Sequence, residues 1–363
     1  MTLIIFILTL VALIVVHEAG HFFAAKLFGI RVDEFAVGFP PRVYRVRRGE
    51  TDYTFNLILL GGFVRIHGER LSEGGGDPRS LASRSRLVQA AVIVAGIAMN
   101  LAAAWLLISA AYMIGIPTVV DGAVAPGGAA TELTIIAVLP GSPAARAGIE
   151  GGDVIESIET GTAKLPMPAS PSEARAFIGG HGDESIGLTV LRGGQKKLFL
   201  ARPAAGLIPD DASHKALGVE FAYVATERYA PLAALGEGAK LAAEETSLTA
   251  QGLWTFFSNL ALGRANLADV SGPVGIARAG AAAAADGAGT LLLFAAFISI
   301  NLALINIIPI PGLDGGRLLV LAVEGVRRKP ISETLNTYLT AFGFILLIAL
   351  MVAVTYHDIA RLL

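Results

Sequence analysis

The sequence predicts a polytopic α-helical membrane protein of about four transmembrane helices, with a membrane-associated β-hairpin and an inserted extramembrane α+β domain. Three observations predict it. A mean hydropathy of +0.63, with 54% hydrophobic and only 16% charged residues, is too apolar for an ordinary soluble enzyme. Apolar runs long enough to cross a bilayer begin near residues 1, 87, 291 and 338. Between the second and third runs, residues 117 to about 287 show the strand and turn signals of a folded extramembrane part. The net charge of −2 gives no case for nucleic acid as a partner. The chain has no cysteine, so any metal ligands come from His, Asp and Glu.

The first run, residues 1–16, carries no charge and then meets Val15-Val16-His17-Glu18-Ala19-Gly20-His21-Phe22. On a helix His17 and His21 share one face a turn apart, so both imidazoles can grip one metal ion, with Glu18 beside it. This is the zinc-hydrolase arrangement: ligands that leave a position for water, and a carboxylate that takes its proton. The structural alternative is a pair of buried histidines satisfied by neighbouring carbonyls. Ionisable groups inside an apolar span are costly when unpaired, and a metal offsets that cost. No basic segment precedes the run, which is therefore expected to be a retained span and not a cleaved signal.

Residues 26–86 carry eleven lysines and arginines, which places this loop in the cytoplasm and the N-terminus outside. Within it, Tyr53 to Leu60 and Phe63 to Ile66 read as two short strands around a Gly61-Gly62 turn. The hairpin is apolar enough to dip into the membrane, where it must be buried against protein or line a cavity. An edge there could receive an extended peptide; an ordinary cytoplasmic hairpin fits the composition equally. The second span, about Leu87 to Ile116, holds Gly96 and Asn100 among alanines and leucines, read as helix packing.

In the extramembrane part, Thr134 to Ile149 followed by Gly151-Gly152-Asp153-Val154-Ile155 alternates strand, turn, short helix, turn and strand. This resembles the PDZ domains of bacterial proteases, and the domain is expected over residues 117–224. The resemblance implies binding of peptides at a sheet edge, or a steric filter for the substrate ectodomain. Residues 225–287 follow as a helical linker region with Trp254, Phe256 and Phe257, suited to the membrane interface or to burial against the PDZ domain.

The third span, about Leu291 to Ile310, runs into Asn306-Ile307-Ile308-Pro309-Ile310-Pro311-Gly312-Leu313-Asp314-Gly315-Gly316-Arg317. Two prolines and three glycines break the helix at membrane depth, which is tolerated only inside protein or beside a wet cavity. Asp314 is a candidate third zinc ligand, or else a cap for the next helix. Arg317, Arg327, Arg328 and Lys329 mark another cytoplasmic loop, and a fourth span near Tyr338 to Thr355 returns the C-terminus outside.

Taken together, H-E-A-G-H at 17–21, Gly96 with Asn100, one PDZ signature and Asn306 to Gly315 resemble the site-two protease family of intramembrane zinc metalloproteases, in its regulator-of-sigma-E branch. The resemblance covers nearly the whole chain. It divides the membrane core into residues 1–116 and 288–363. It implies Zn²⁺ on His17, His21 and Asp314, water activation by Glu18, and a substrate backbone held by Asn306 and by the element Gly61, Gly62 and Phe63. The implied substrates are single-pass membrane proteins, anti-sigma factors or signal-peptide remnants, already cut on the outer side. The implied place is a bacterial inner membrane, in contact with lipid, with the PDZ domain and both termini periplasmic. Family members often carry two PDZ domains, and one is found here. A PDZ scaffold without catalysis is the alternative from another class; a metal transporter would need more ionisable groups along the spans.

Overall fold

A computed structural model describes residues 2–69, 77–120, 122, 131–207, 215–264 and 272–360; Arg70 and Ser271 lie outside these. The chain divides into two compact units, one of Met1–Ala111 with Ala230–Leu363, the other of Tyr112–Tyr229.

The first unit is built on four helices long and apolar enough to span a membrane. The first, α1 (Thr2–Leu27), has no interior proline and ends where Gly29 turns to φ +66°, with Lys26 favourably placed in its last turn. At about 1.5 Å per residue it is roughly 39 Å long, more than a hydrocarbon core of about 30 Å. Two strands follow, β1 (Val32–Arg48) and β2 (Thr51–Ile66). Each bends back on itself, giving a four-segment mixed layer in the order 42–48, 51–56, 32–37, 62–66, antiparallel at its two outer pairs and parallel between 51–56 and 32–37. This corrects the expected hairpin. Gly61-Gly62 lies within β2, and Val37 sits between Gly62 on one side and Phe55 on the other. The central segment is not legible as a strand in sequence because Asp33 and Glu34 make it read as polar loop. Glu34 is buried, and Thr54 Oγ1 at 2.8 Å, Arg42 at 3.1 Å and Arg65 at 3.5 Å satisfy its carboxylate.

The second span, α2 (Arg86–Ile114), buries Gly96, Asn100, Ala104 and Ile108 along one face. It crosses α1 closely: a Cβ on Gly20 would stand 2.8 Å from the Gly96 Cα. After the other unit, which holds α3 (Pro143–Ala147) and α4 (Pro171–Gly180), come α5 (Pro231–Ala261), α6 (Pro273–Ala285), α7 (Ala288–Ile307), α8 (Asp314–Arg327) and α9 (Glu333–Ala360). The Trp105 indole of α2 donates to the Leu235 carbonyl of α5 at 2.9 Å. Asp358 of α9 accepts from the Gly272 and Gly275 N–H groups at 3.1 and 2.8 Å, capping α6, which has no capping side chain of its own. The break after α7 falls just before Pro309, which disfavours helix at the residue preceding it. Gly343 of α9 fits against the Pro311 carbonyl, where any side chain would overlap it.

The unit Tyr112–Tyr229 contains strands β3 (Ile116–Val120), β4 (Thr131–Val138), β5 (Val154–Glu159), β6 (Ile186–Arg192), β7 (Gln195–Ala201) and β8 (Val219–Glu227). They form a six-stranded antiparallel sheet in the order β3-β8-β4-β5-β6-β7. Alternate residues Ile135, Ile155, Ile158, Ile186, Leu188, Val190 and Phe221 form the core. Ser142 caps the short α3, and Gly148 closes it at φ +84°, which explains the residue pattern seen in sequence. On α4 a Ser170–Glu173 capping box holds the Glu173 carboxyl below its usual range, chiefly through the Ser170 N–H. The Gly193-Gly194 turn joins β6 to β7 with positive φ at both glycines. Asp153 is fully buried, taking Arg192 Nε and Nη2 at 2.6 Å each and the Glu150 N–H at 3.0 Å.

Candidate metal centre

Helical spacing alone brings His17 and His21 together on α1, with ring centroids 4.8 Å apart. For their distant partner, Asp314, the residues alone leave a ligand and a helix cap both open. The chain breaks after α7, re-enters through Pro309 to Leu313, and starts α8 with Asp314, whose carboxylate comes to the histidine pair. The N-cap of α8 is Leu313, without a side-chain cap, so the capping reading of Asp314 gives way. The room comes from glycines: a Cβ at Gly96 would overlap the His21 ring and come within 2.9 Å of the His17 ring. Gly315 and Gly316 press equally closely on the carbonyls of residues 307–310.

The three facing atoms form a nearly equilateral triangle. His17 Nε2 and His21 Nε2 are 3.2 Å apart, and they lie 3.1 and 3.2 Å from Asp314 Oδ2. Ligand atoms around a tetrahedral zinc at about 2.0–2.2 Å stand roughly 3.3–3.5 Å from one another. The observed triangle fits that spacing after shifts of a few tenths of an ångström. All three residues are buried, and Asp314 Oδ2 receives no aligned hydrogen bond although it is sealed from solvent. A buried carboxylate oxygen facing two imidazole nitrogens fits the donor set of a metal. His21 Nδ1 donates to the Val92 carbonyl at 2.9 Å, which leaves its Nε2 free to ligate. Among the described residues this group has three members, leaving a position for water.

The triangle opens into a cavity of about 320 Å³. Glu18, Phe63, Val64, Leu302 and Asn306 line it, as do Glu69 and Arg317 at its rim. The Val64 N–H faces the Glu18 carboxylate, so one edge of the β layer borders the reacting centre. Of the expected substrate-holding residues, Asn306 and Phe63 line the cavity. A Cβ on Gly62 would come 3.5 Å from Glu18 Cγ, whereas Gly61 faces away and packs on the Phe39 ring. Sequence reasoning notes Asn100 as part of a family motif but reads it as packing, and it misses Glu69 and Arg317, which form a 2.8 Å ion pair that no local pattern signals. Only their long-range pairing makes them part of the site.

Residues 5–350 match the sequence model of Peptidase family M50. The chain is similar to two proteins provisionally named zinc metalloproteases. One, from Clostridium perfringens, is 33% identical over 99% of this chain and 98% of its own length. The other, from Synechocystis, is 37% identical over 97% of this chain and 93% of its own length. It is also similar to the zinc metalloprotease RasP of Bacillus licheniformis, at 27% identity over 99% of each chain.

Proposed function

We propose, from the premise that this chain belongs to peptidase family M50 and is a multi-pass zinc metalloprotease, that it hydrolyses peptide bonds within the membrane spans of single-pass proteins already trimmed on their outer side. The observation that carries the reading is the buried His17–His21–Asp314 triangle set in a unit of four span-length helices. In the proposed arrangement the site lies within the bilayer, where it meets peptide bonds of membrane spans.

His17, His21 and Asp314 hold the metal. Zinc, when bound, supplies Lewis-acid polarisation of the scissile carbonyl and a more acidic water. Glu18, flanking the ligands, takes the proton of the attacking water and returns it to the departing amine. A helical substrate keeps its carbonyls hydrogen-bonded and shielded, so it must be extended before it reacts. The β2 edge beside Glu18, at Gly62, Phe63 and Val64, receives the extended backbone, and Asn306 holds it from the opposite wall. Gly61 sets the packing of that edge.

We take residues 117–224, within the unit Tyr112–Tyr229, as the PDZ domain and the substrate-recognition module. In support, Val219–Ala222 of β8 pairs with β4 on one side, and no described strand pairs with its other side. That free edge suits an extended peptide, whereas a pure size filter needs none. In the proposed topology the protein lies in a bacterial inner membrane, with this domain and both termini periplasmic and the Arg-rich β layer cytoplasmic.

The test is cleavage of a tagged single-span reporter lacking its outer domain, co-expressed with the wild type or with Glu18→Gln. Cutting by the wild type alone supports the proposal. No cutting of a panel of such spans, by a preparation that holds stoichiometric zinc, overturns the intramembrane substrate while leaving the family intact.

A further inference from the structure

One polar side chain beside the metal triangle has no role in the reaction just described. Asn100 lies on α2, one turn beyond Gly96, and is fully buried. Its side-chain nitrogen stands 3.3 Å from His17 Nδ1. Its side-chain oxygen, Oδ1, is buried and has no hydrogen-bond partner among the described residues. The residue is held from behind, where Ser299 Oγ of α7 donates to the Asn100 carbonyl at 2.8 Å.

The two nitrogens of His17 then decide the orientation. Nε2 faces His21 and Asp314, so a metal in the triangle takes the Nε2 lone pair. A neutral imidazole that ligates through Nε2 carries its proton on Nδ1. That N–H is buried and needs an acceptor, and among the described residues Asn100 alone offers a side chain to it. An amide nitrogen opposite an N–H sets two donors against each other. The two ends of an amide differ little in shape, and a half-turn of the group replaces the donor with the orphaned oxygen. The same half-turn resolves both faults.

We infer that Asn100 is a positioning residue for the metal ligand His17: its Oδ1 accepts the Nδ1–H, fixing the tautomer and the ring plane that aim Nε2 at the metal. His21 has the equivalent partner in the Val92 carbonyl. Both histidines of α1 are therefore oriented by α2, one by backbone and one by side chain. The close approach that Gly20 and Gly96 permit is what brings those acceptors within reach.

This inference rests on His17 being a ligand, and the experiment separates the two. The full-length protein, stripped of metal in detergent, is titrated with zinc against a chelating dye. Asn100→Leu keeps the size and removes the acceptor; it is expected to weaken zinc binding by roughly 10–100-fold. Asn100→Asp keeps an acceptor and makes it stronger; it is expected to bind zinc at least as tightly as the wild type. Melting of the metal-free Asn100→Asp protein is expected to match that of the wild type. Zinc affinity unchanged in Asn100→Leu, or as weak in Asn100→Asp as in Asn100→Leu, overturns the inference and leaves Asn100 a packing residue. If Asn100→Leu does not fold, weaker binding by Asn100→Asp than by the wild type overturns it instead. His17→Ala is the control: if that variant binds zinc like the wild type, it is the ligand assignment that fails.

Discussion

Two buried aspartates, one in each unit, differ in what meets their carboxylates. Asp153 is fully buried in the six-stranded unit, and both its oxygens are occupied by Arg192, with the Glu150 N–H added. Asp314 is buried almost as deeply in the helical unit, yet its Oδ2 faces two imidazoles without an aligned hydrogen bond. The first is satisfied by residues within its own unit and holds loops in place. The second meets only the two imidazole nitrogens, at 3.1 and 3.2 Å, which is the spacing of a candidate metal site. Burial by itself therefore does not identify a site; a buried carboxylate converging with two imidazoles is the stronger signal.

The largest effect that sharpens this contrast lies next to Asp314. Glu18→Gln is expected to reduce cleavage by roughly 10²–10⁴-fold, about 3–5 kcal/mol in the barrier, while bound zinc stays at the wild-type level. Reporter cleavage and metal analysis on one preparation check both halves, and loss of zinc together with activity would move Glu18 from base to ligand. Asp314→Asn comes next. Removing a ligand is expected to cost zinc affinity more than the roughly 10–100-fold typical of an outer-shell change, with the melting of the metal-free protein unchanged or raised. A chelator titration reads the first and a melting curve the second. A marked fall in metal-free stability would make Asp314 structural, like Asp153.

For Asp153→Asn the expectations are reversed. Arg192 loses a charged partner, and the unit Tyr112–Tyr229 is expected to lose about 2 kcal/mol with zinc binding untouched. Local protease sensitivity of that unit reads the effect, and an equal loss of zinc would erase the distinction between the two aspartates. The smallest effect belongs to the rim. Glu69 and Arg317 are each about one-third exposed, so Glu69→Gln is expected to change stability by less than about 1 kcal/mol. Its activity is the informative reading: a change in cleavage rate at constant stability would mean that the pair governs passage through the rim.

The features legible in the sequence are those whose partners are near in the chain. Apolar runs mark the spans, and helical periodicity places His17, Glu18 and His21 together within one turn of α1. Ser142, Pro143 and Gly148 announce a capped short helix because capping is a contact across one turn. The sequence misleads where the partner is remote. Gly61-Gly62 looks like a turn because glycine pairs usually are, but the segment 32–37 inserts between the two stretches of β2 and makes those glycines strand. That segment is itself hidden by Glu34, whose charge is cancelled by Arg42, Arg65 and Thr54 only in the folded sheet. Asp314 stays divided between cap and ligand for the same reason.

By itself, then, the sequence determined that this chain has four span-length apolar runs and sets two histidines and a glutamate together on one of them, because spacing along one helix fixes which side chains share a face. Only the tertiary structure decided which carboxylate comes to the histidine pair, which strand edge borders it and that Asn100 lies against His17. Those depend on how closely α1, α2 and the broken segment after α7 approach, and that distance is set by glycines whose function is to have no side chain.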